Sequence, residues 1–124
     1  GVFLLNAALT SERGNDEAHL KYWRQFTTSI IRHIANVNSN KVWMLWGSGP
    51  KSFIPHINNK FSVDKYTKNN VQDIPIFKGK NYILQANTPM MEYWNKEYGG
   101  FFNKSHFYKC NKILQLSGVS QIKW

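Results

Sequence analysis

Short apolar runs separated by polar stretches predict three buried strands. Val2 to Leu5 is apolar and ends at polar Asn6, and similar runs cover residues 42–46 and 82–85. Each run is too short for a stable helix but has the length of a strand that is buried on both faces.

Apolar residues at three- and four-residue steps predict two amphipathic helices, one from Leu20 to Ile34 and one from Phe107 to Ser117. The candidate capping residues are Asn15 or Asp16 for the first helix and Asn103 or Ser105 for the last. Residues 51–80 are rich in lysine and lack a clear period, so we expect a short helix near Ser52 to Ile57 followed by a long basic loop.

The alternation of strands and helices predicts an α/β fold: a three-layer α/β/α arrangement around a short parallel sheet, with residues 1–124 forming one domain. Ligands bind to such sheets at the carboxyl ends of the strands. Asn6, the Gly47-Ser48 pair and Asn87 each follow a predicted strand. We therefore expect them to converge at one edge.

The charge balance favours an anionic partner. Lysine and arginine outnumber aspartate and glutamate by 16 to 7, which gives a formal net charge of +9. Nucleic acid, either DNA or RNA, is the expected partner, with an anionic membrane surface second. A lysine-rich surface that only keeps the protein in solution explains the same numbers.

Cysteine and histidine usage narrows the remaining chemistry. A single cysteine, Cys110, excludes an intrachain disulfide and fits a reducing intracellular compartment, with the nucleus and the mitochondrion as candidates. The four histidines are scattered and show no ligand spacing, so no metal site and no cofactor are expected. No apolar run has the length of a membrane span, and we expect no membrane association.

Three blocks of sequence carry a resemblance that spans almost the whole chain. They are residues 4–10 (LLNAALT) with 23–27 (WRQFT), residues 45–48 (LWGS), and residues 100–107 (GFFNKSHF) with Asn111 and the terminal Ile122-Lys123-Trp124. In order and rough spacing these blocks resemble the C-terminal half of the family-one uracil-DNA glycosylases. The resemblance implies that fold with its N-terminal half missing.

The resemblance implies roles for several residues. Asn6 would read a flipped uracil through its amide, which offers both a donor and an acceptor. Gly47 and Ser48 would contact the DNA backbone, and the basic stretch around Lys104 and His106 would face DNA. Structural explanations stay open: a polar strand end, a tight turn and a solvated helix face, respectively.

The loop after the last strand departs from the family pattern. Family members carry His-Pro-Ser-Pro-Leu there, and its histidine stabilises charge that develops on the uracil oxygen. This chain has Asn87 in the histidine's place, which predicts a large loss of rate. Met90 or Met91 could replace the family's leucine as an apolar wedge in DNA, although methionines packed under a loop explain them too.

The resemblance also implies parts that this sequence does not contain. The family's Gly-Gln-Asp-Pro-Tyr loop, whose aspartate orients or activates water, is not found, and neither is the aromatic residue that stacks on uracil. The strand that leads to that loop lies, in the family, between the strands expected at Val2 and Val42. We therefore expect either another protein chain to complete the sheet or a rearranged sheet.

The resemblance and the departures from it lead to two alternative functions, of which we expect the first. It is a degenerate glycosylase-like module, non-catalytic by itself, that serves as a nucleic-acid-binding or structural subunit of a larger assembly such as a ribonucleoprotein. The alternative is the downstream part of an active uracil-DNA glycosylase, in which Asn6 recognises the base and Asn87 gives weak electrophilic help. An inhibitor or protein-binding decoy is a third hypothesis, which the positive charge supports poorly.

Overall fold

A three-stranded parallel sheet organises the protein. The computed structural model describes residues 1–66, 74–92 and 100–124. Strand β1 is Lys41–Trp46, β2 is Lys60–Ser62 and β3 is Asn81–Ala86. Their order in the sheet is β1-β3-β2, so β3 is central, and the register pairs Lys41 with Asn81 at one end and Trp46 with Ala86 at the other.

Two long helices and several short ones surround the sheet. The α-helices are α1 (Leu20–Asn36), α2 (Ser48–Lys51), α3 (Val63–Tyr66) and α4 (His106–Leu116). Short 3₁₀ turns lie at Ile54–His56, Pro89–Glu92 and Phe102–Lys104.

Each face of the sheet has its own apolar core because successive side chains of a strand point to opposite faces. Leu45 and Ile83 pack with Ile31 of α1 and with Phe53 and Ile57, which follow β1. On the other face the buried residues are Val63, Ile74, Tyr82, Leu84, Cys110 and Ile113. The sheet therefore lies between two helical layers, and the predicted three-layer α/β fold is confirmed.

The long helices and two of the strands lie where the hydrophobic pattern predicts them. Helix α1 extends two residues past Ile34, and β1 and β3 each gain a residue at their predicted starts. Ser105 precedes α4 as predicted, but its side chain makes no capping hydrogen bond. The predicted capping of α1 by Asn15 or Asp16 is wrong, since His19 holds the N-cap position, also without a side-chain bond.

The strand predicted at Val2 to Leu5 is wrong. This segment belongs to no sheet, and Val2, Phe3 and Leu4 are 51%, 64% and 87% exposed. A strand is stabilised by hydrogen bonds to a neighbouring strand, and among the described residues only β3 pairs with β1. The segment is apolar enough for a buried strand, but within residues 1–66, 74–92 and 100–124 no strand pairs with it.

The predicted basic loop over residues 58–80 contains regular structure that the sequence pattern did not indicate. Strand β2 pairs with β3 from Lys60–Asn81 to Ser62–Ile83, and α3 follows it directly. Three residues are too few to show a period of two, so only the pairing with β3 identifies this strand. Residues 67–73 of the predicted loop lie outside the described residues.

None of the helices in the described part of the chain combines the length and the apolar character of a membrane span. One domain over 1–124 stays a prediction.

Candidate functional site

The turn after β1 and the loop after β3 lie side by side at the carboxyl edge of the sheet. The backbone N–H of Gly47 donates to the carbonyl of Ala86 over 3.1 Å, which extends the parallel ladder by one bond. A Cβ placed on Gly47 would lie 3.7 Å from the Cβ of Thr88. The Gly47-Ser48 pair and Asn87 are therefore brought together, as parallel pairing predicts.

The segment that follows Asn6 reaches the same edge. The hydroxyl of Thr27 on α1 donates to the carbonyl of Ala7 over 3.1 Å, and Ala7 lies against Gly49, where a Cβ would be 4.0 Å from that of Ala7. Asn6 itself is exposed. The residue that follows Asn6 therefore lies beside the turn after β1, while convergence of the Asn6 side chain with Ser48 and Asn87 stays a prediction.

Helix α1 also holds the chain a few residues further on. The indole N–H of Trp23 donates to the hydroxyl of Thr10 over 2.7 Å, and that hydroxyl lies 2.8 Å from Nδ1 of His19. Trp23 and Thr27 therefore hold Thr10 and Ala7. These hydrogen bonds join the two parts of the first resemblance block, residues 4–10 and 23–27, and so help to position the segment that carries Asn6.

The turn at Gly47 needs glycine. Its backbone has φ of 101° and ψ of 174°, a conformation that residues with a side chain rarely adopt. The turn directs the chain from β1 straight into α2, so Ser48 lies exposed at the edge. A backbone N–H and a hydroxyl at such a turn are suited to bind phosphate oxygens.

An apolar groove of about 450 Å³ runs along the free edge of β1. Its walls are Thr27, Ile31 and Ile34 of α1 on one side and Phe107, Cys110 and Ile122 on the other. Residues 1–7, including Asn6, close it opposite β1. The groove lies beside a strand edge whose backbone groups have no partner strand among the described residues.

Comparison with known proteins gives a consistent result. No protein-family model matches the chain. Over 125 aligned positions it is 32% identical to a uracil-DNA glycosylase of Idiomarina loihiensis, covering all of this chain and 48% of the relative. Similar proteins of the same name occur in Photorhabdus laumondii, at 32% identity, and Buchnera aphidicola, at 34%, each covered to 46%.

The chain is similar to uracil-DNA glycosylases over its whole length. The resemblance expected from the sequence blocks is confirmed, and the chain spans about half the length of the curated relatives it matches. This extent is consistent with the C-terminal half that the blocks predict.

The expected function as a non-catalytic subunit of a larger assembly is wrong. The relatives are named uracil-DNA glycosylase, and they favour the alternative, in which this chain is part of an active glycosylase. The first hypothesis gave more weight to the replacement of the family's histidine by Asn87 than to the sequence blocks that match the family. Identity of about a third over the whole chain is the stronger signal.

The loop after β3 exposes Met90. Met90 is 80% exposed in the 3₁₀ turn that begins at Pro89, and Asn87 is half-buried. Met90 is therefore not packed under the loop, and its role as a wedge in DNA stays a prediction. The side chain of Met91 and residues 93–99 lie outside the described part of the chain.

His106, expected to face DNA, is instead a core residue. Its side chain is only 3% exposed and packs beside the rings of Trp46 and Phe101. The half-buried Lys104 precedes it. The resemblance blocks at this end also serve the fold, because the amide of Asn111 exchanges two 2.9 Å hydrogen bonds with the backbone of Ile122.

Burial lowers the pKa of His106 below its ordinary value. The carboxylate of Asp64 opposes this shift, while the ammonium groups of Lys109 and Lys104 reinforce it. A neutral imidazole can accept a hydrogen bond at one nitrogen. Nδ1 accepts from Trp46, so the proton resides on Nε2, which has no hydrogen-bond partner among the described residues.

The sequence did not point to Asp64 of α3, whose side chain contacts the carboxyl end of β3. Its carboxylate accepts the backbone N–H of Gln85 over 2.7 Å and lies 3.4 Å from Nζ of Lys109. An acidic residue in a basic loop carries no signal for such a role. Across residues 1–66, 74–92 and 100–124, no group of three or more histidine, cysteine, aspartate or glutamate side chains could hold a metal ion.

Proposed function

We propose that this chain supplies the base-reading and DNA-contacting half of a uracil-DNA glycosylase. The reaction is hydrolysis: water bonds to C1′ of deoxyribose as the bond from C1′ to N1 of uracil breaks, which releases uracil and leaves an abasic site for excision repair. The observation that carries the proposal is the convergence of the segments bearing Asn6, Gly47-Ser48 and Asn87 at one sheet edge.

Each of these residues suits one part of that task. Asn6 is exposed, and its amide can pair with the donor and acceptor edge of a uracil turned out of the helix. Gly47 and Ser48 bind a phosphate beside it. Asn87 donates one hydrogen bond toward the uracil oxygen, where negative charge develops as the base leaves.

DNA contacts beyond the base fit the remaining features. The formal net charge of +9 favours a polyanion. Met90 is the exposed apolar side chain nearest in sequence to Asn87, and it fills the space that the extruded base vacates. Lys104, in the 3₁₀ turn before α4, adds positive charge.

We propose further that a β-strand from the rest of a glycosylase-length protein occupies the groove along β1. Among the described residues, β1 pairs with β3 on one side only, and the groove beside its other edge is lined mostly by apolar side chains. Phe3 and Leu4 are apolar, largely exposed and line the same groove, so a strand placed there would cover them. This strand would bring the water-orienting aspartate that the resemblance implies and this sequence lacks.

Reconstitution tests the function. This chain is mixed with the part of the Idiomarina loihiensis relative that it does not match, and release of uracil from an oligonucleotide is measured. Uracil excision is expected, and Asn6→Ala is expected to reduce it by orders of magnitude, whereas Asn38→Ala, an exposed asparagine before β1 at the opposite end of the sheet, retains it. Excision that is equal in Asn6→Ala and the control would refute the role of Asn6.

Assembly tests the groove. Phe3→Asp is expected to prevent copurification of the complementary half because it places a charge in an apolar groove. Tyr22→Asp, an equally exposed aromatic on α1 outside the groove, is the control. If the complementary half binds both variants alike, the strand does not occupy this groove.

A further inference from the structure

Arg24 is held in one orientation on the surface of α1. Its guanidinium donates to the hydroxyl of Ser52 over 3.1 Å and lies over the ring of Phe53, 5.2 Å from the ring centre. Phe53 is 2% exposed and therefore a fixed platform. The hydrogen bond and the stacking contact together restrain a side chain that is otherwise exposed.

Ser52 links Arg24 to the turn that follows β1. The hydroxyl of Ser52 donates to the carbonyl of Gly49 over 2.7 Å, and its backbone N–H donates to the carbonyl of Ser48 over 3.0 Å. Arg24 is thus two hydrogen bonds away from Ser48. One helical turn further along α1, Thr27 holds the segment that carries Asn6.

No carboxylate neutralises Arg24 within the described residues. The ion pairs found there join His19 to Glu12 and Lys109 to Asp64. The hydroxyl of Ser52 uses few of the five N–H donors of a guanidinium, so most of them are free to bind another group. A planar, preorganised fork with an unpaired positive charge is suited to bind two oxygens of a phosphate.

We propose that Arg24 binds a DNA backbone phosphate next to the one at Gly47-Ser48. This inference rests on the proposed function. It adds Arg24 as a DNA-contacting residue between the turn after β1 and the segment of Asn6. Restraint by Ser52 and Phe53 reduces the side-chain entropy that binding would otherwise cost. Because phosphates are the same in every sequence, this contact strengthens binding without reading the base.

The salt dependence of DNA affinity tests the proposal. Duplex oligonucleotides with and without uracil are titrated with the 124-residue chain and with Arg24→Gln, which keeps a polar side chain but removes the charge. Loss of one phosphate contact reduces the slope of log affinity against log salt by about 0.9, which is roughly five- to tenfold in affinity near 0.1 M salt. The loss should be equal for both duplexes.

Arg32→Gln is the matched control. Arg32 lies on the same helix about 12 Å away and makes a similar 3.1 Å hydrogen bond, to His56. It should leave the slope unchanged, whereas Arg24→Lys should retain the slope because it keeps the charge.

The outcomes separate the two proposals. A steep slope for the unmodified chain with no change in Arg24→Gln would overturn the role of Arg24 and leave the proposed function standing. An unmodified chain whose affinity for DNA does not depend on salt would overturn both.

Discussion

The indole N–H of Trp46 donates a hydrogen bond to Nδ1 of His106 over 3.0 Å, joining the last residue of β1 to the first residue of α4. Gly47, the next residue after Trp46, begins the turn that bears Ser48. The Trp46–His106 hydrogen bond therefore fixes the start of this turn to α4, which packs on the face of the sheet away from α1. The rings of Phe101 and Phe107 pack edge-on against Trp46 at 4.7 and 5.8 Å.

Stability should fall in mild acid because of His106. Its folded-state pKa lies below the ordinary 6.5, so in the window between those values the unfolded chain binds the proton more readily. The free energy by which neutral His106 stabilises the folded chain is complete above pH 6.5 and is lost as the pH falls. Protonation also removes the acceptor that Trp46 uses.

Urea unfolding between about pH 5 and pH 8 measures this effect. The difference in unfolding free energy between the unmodified chain and His106→Gln should shrink toward low pH. His33→Gln, at an exposed position of α1, shows what removal of a histidine outside the core does to the same measurement. A difference for His106→Gln that does not change with pH would contradict the prediction.

Gly47→Ala should destabilise the protein by about 1–3 kcal/mol because alanine is strained at φ of 101°. Gly49→Ala is a matched control two residues away, where the backbone has no positive φ and a new Cβ meets Ala7 at an ordinary 4.0 Å. Thermal unfolding of both variants decides the matter. Equal midpoints would show that the conformation of Gly47 is not required.

Asn81→Ala should cost about 2–4 kcal/mol of folding free energy. The amide of Asn81 is fully buried: it donates to the carbonyls of Ala35 and Asn58 over 3.0 and 2.8 Å and accepts the indole N–H of Trp43 over 2.9 Å. Truncation leaves these groups unsatisfied. Asn103→Ala, at an exposed position, should be close to neutral in the same denaturation experiment.

Asn87→His should raise the rate of uracil excision in the reconstituted enzyme, by about 10²-fold if the imidazole donates more strongly to the developing charge. The substitution restores the residue that the family resemblance implies at this position. Single-turnover assays isolate the bond-breaking step from product release. An unchanged rate, with binding also unchanged, would mean that Asn87 does not face the leaving base.

The sequence alone indicated the two long helices and strands β1 and β3, because each is an amphipathic or apolar segment whose period is local. It also indicated the similarity to uracil-DNA glycosylases, since the blocks around Asn6, Trp46 and Phe101 lie in the right order. The alternation of strand and helix predicted convergence at one edge, which depends only on parallel pairing and not on side-chain detail.

Only the tertiary structure decided which of these segments found partners. Val2 to Leu5 has the composition of a strand, yet it forms none, because a strand depends on a neighbour that local sequence does not describe. The reverse holds for Lys60–Ser62, which is a strand because β3 lies beside it. The burial of His106 and the restraint of Arg24 likewise arise from residues distant in sequence, Trp46 for the histidine and Ser52 for the arginine.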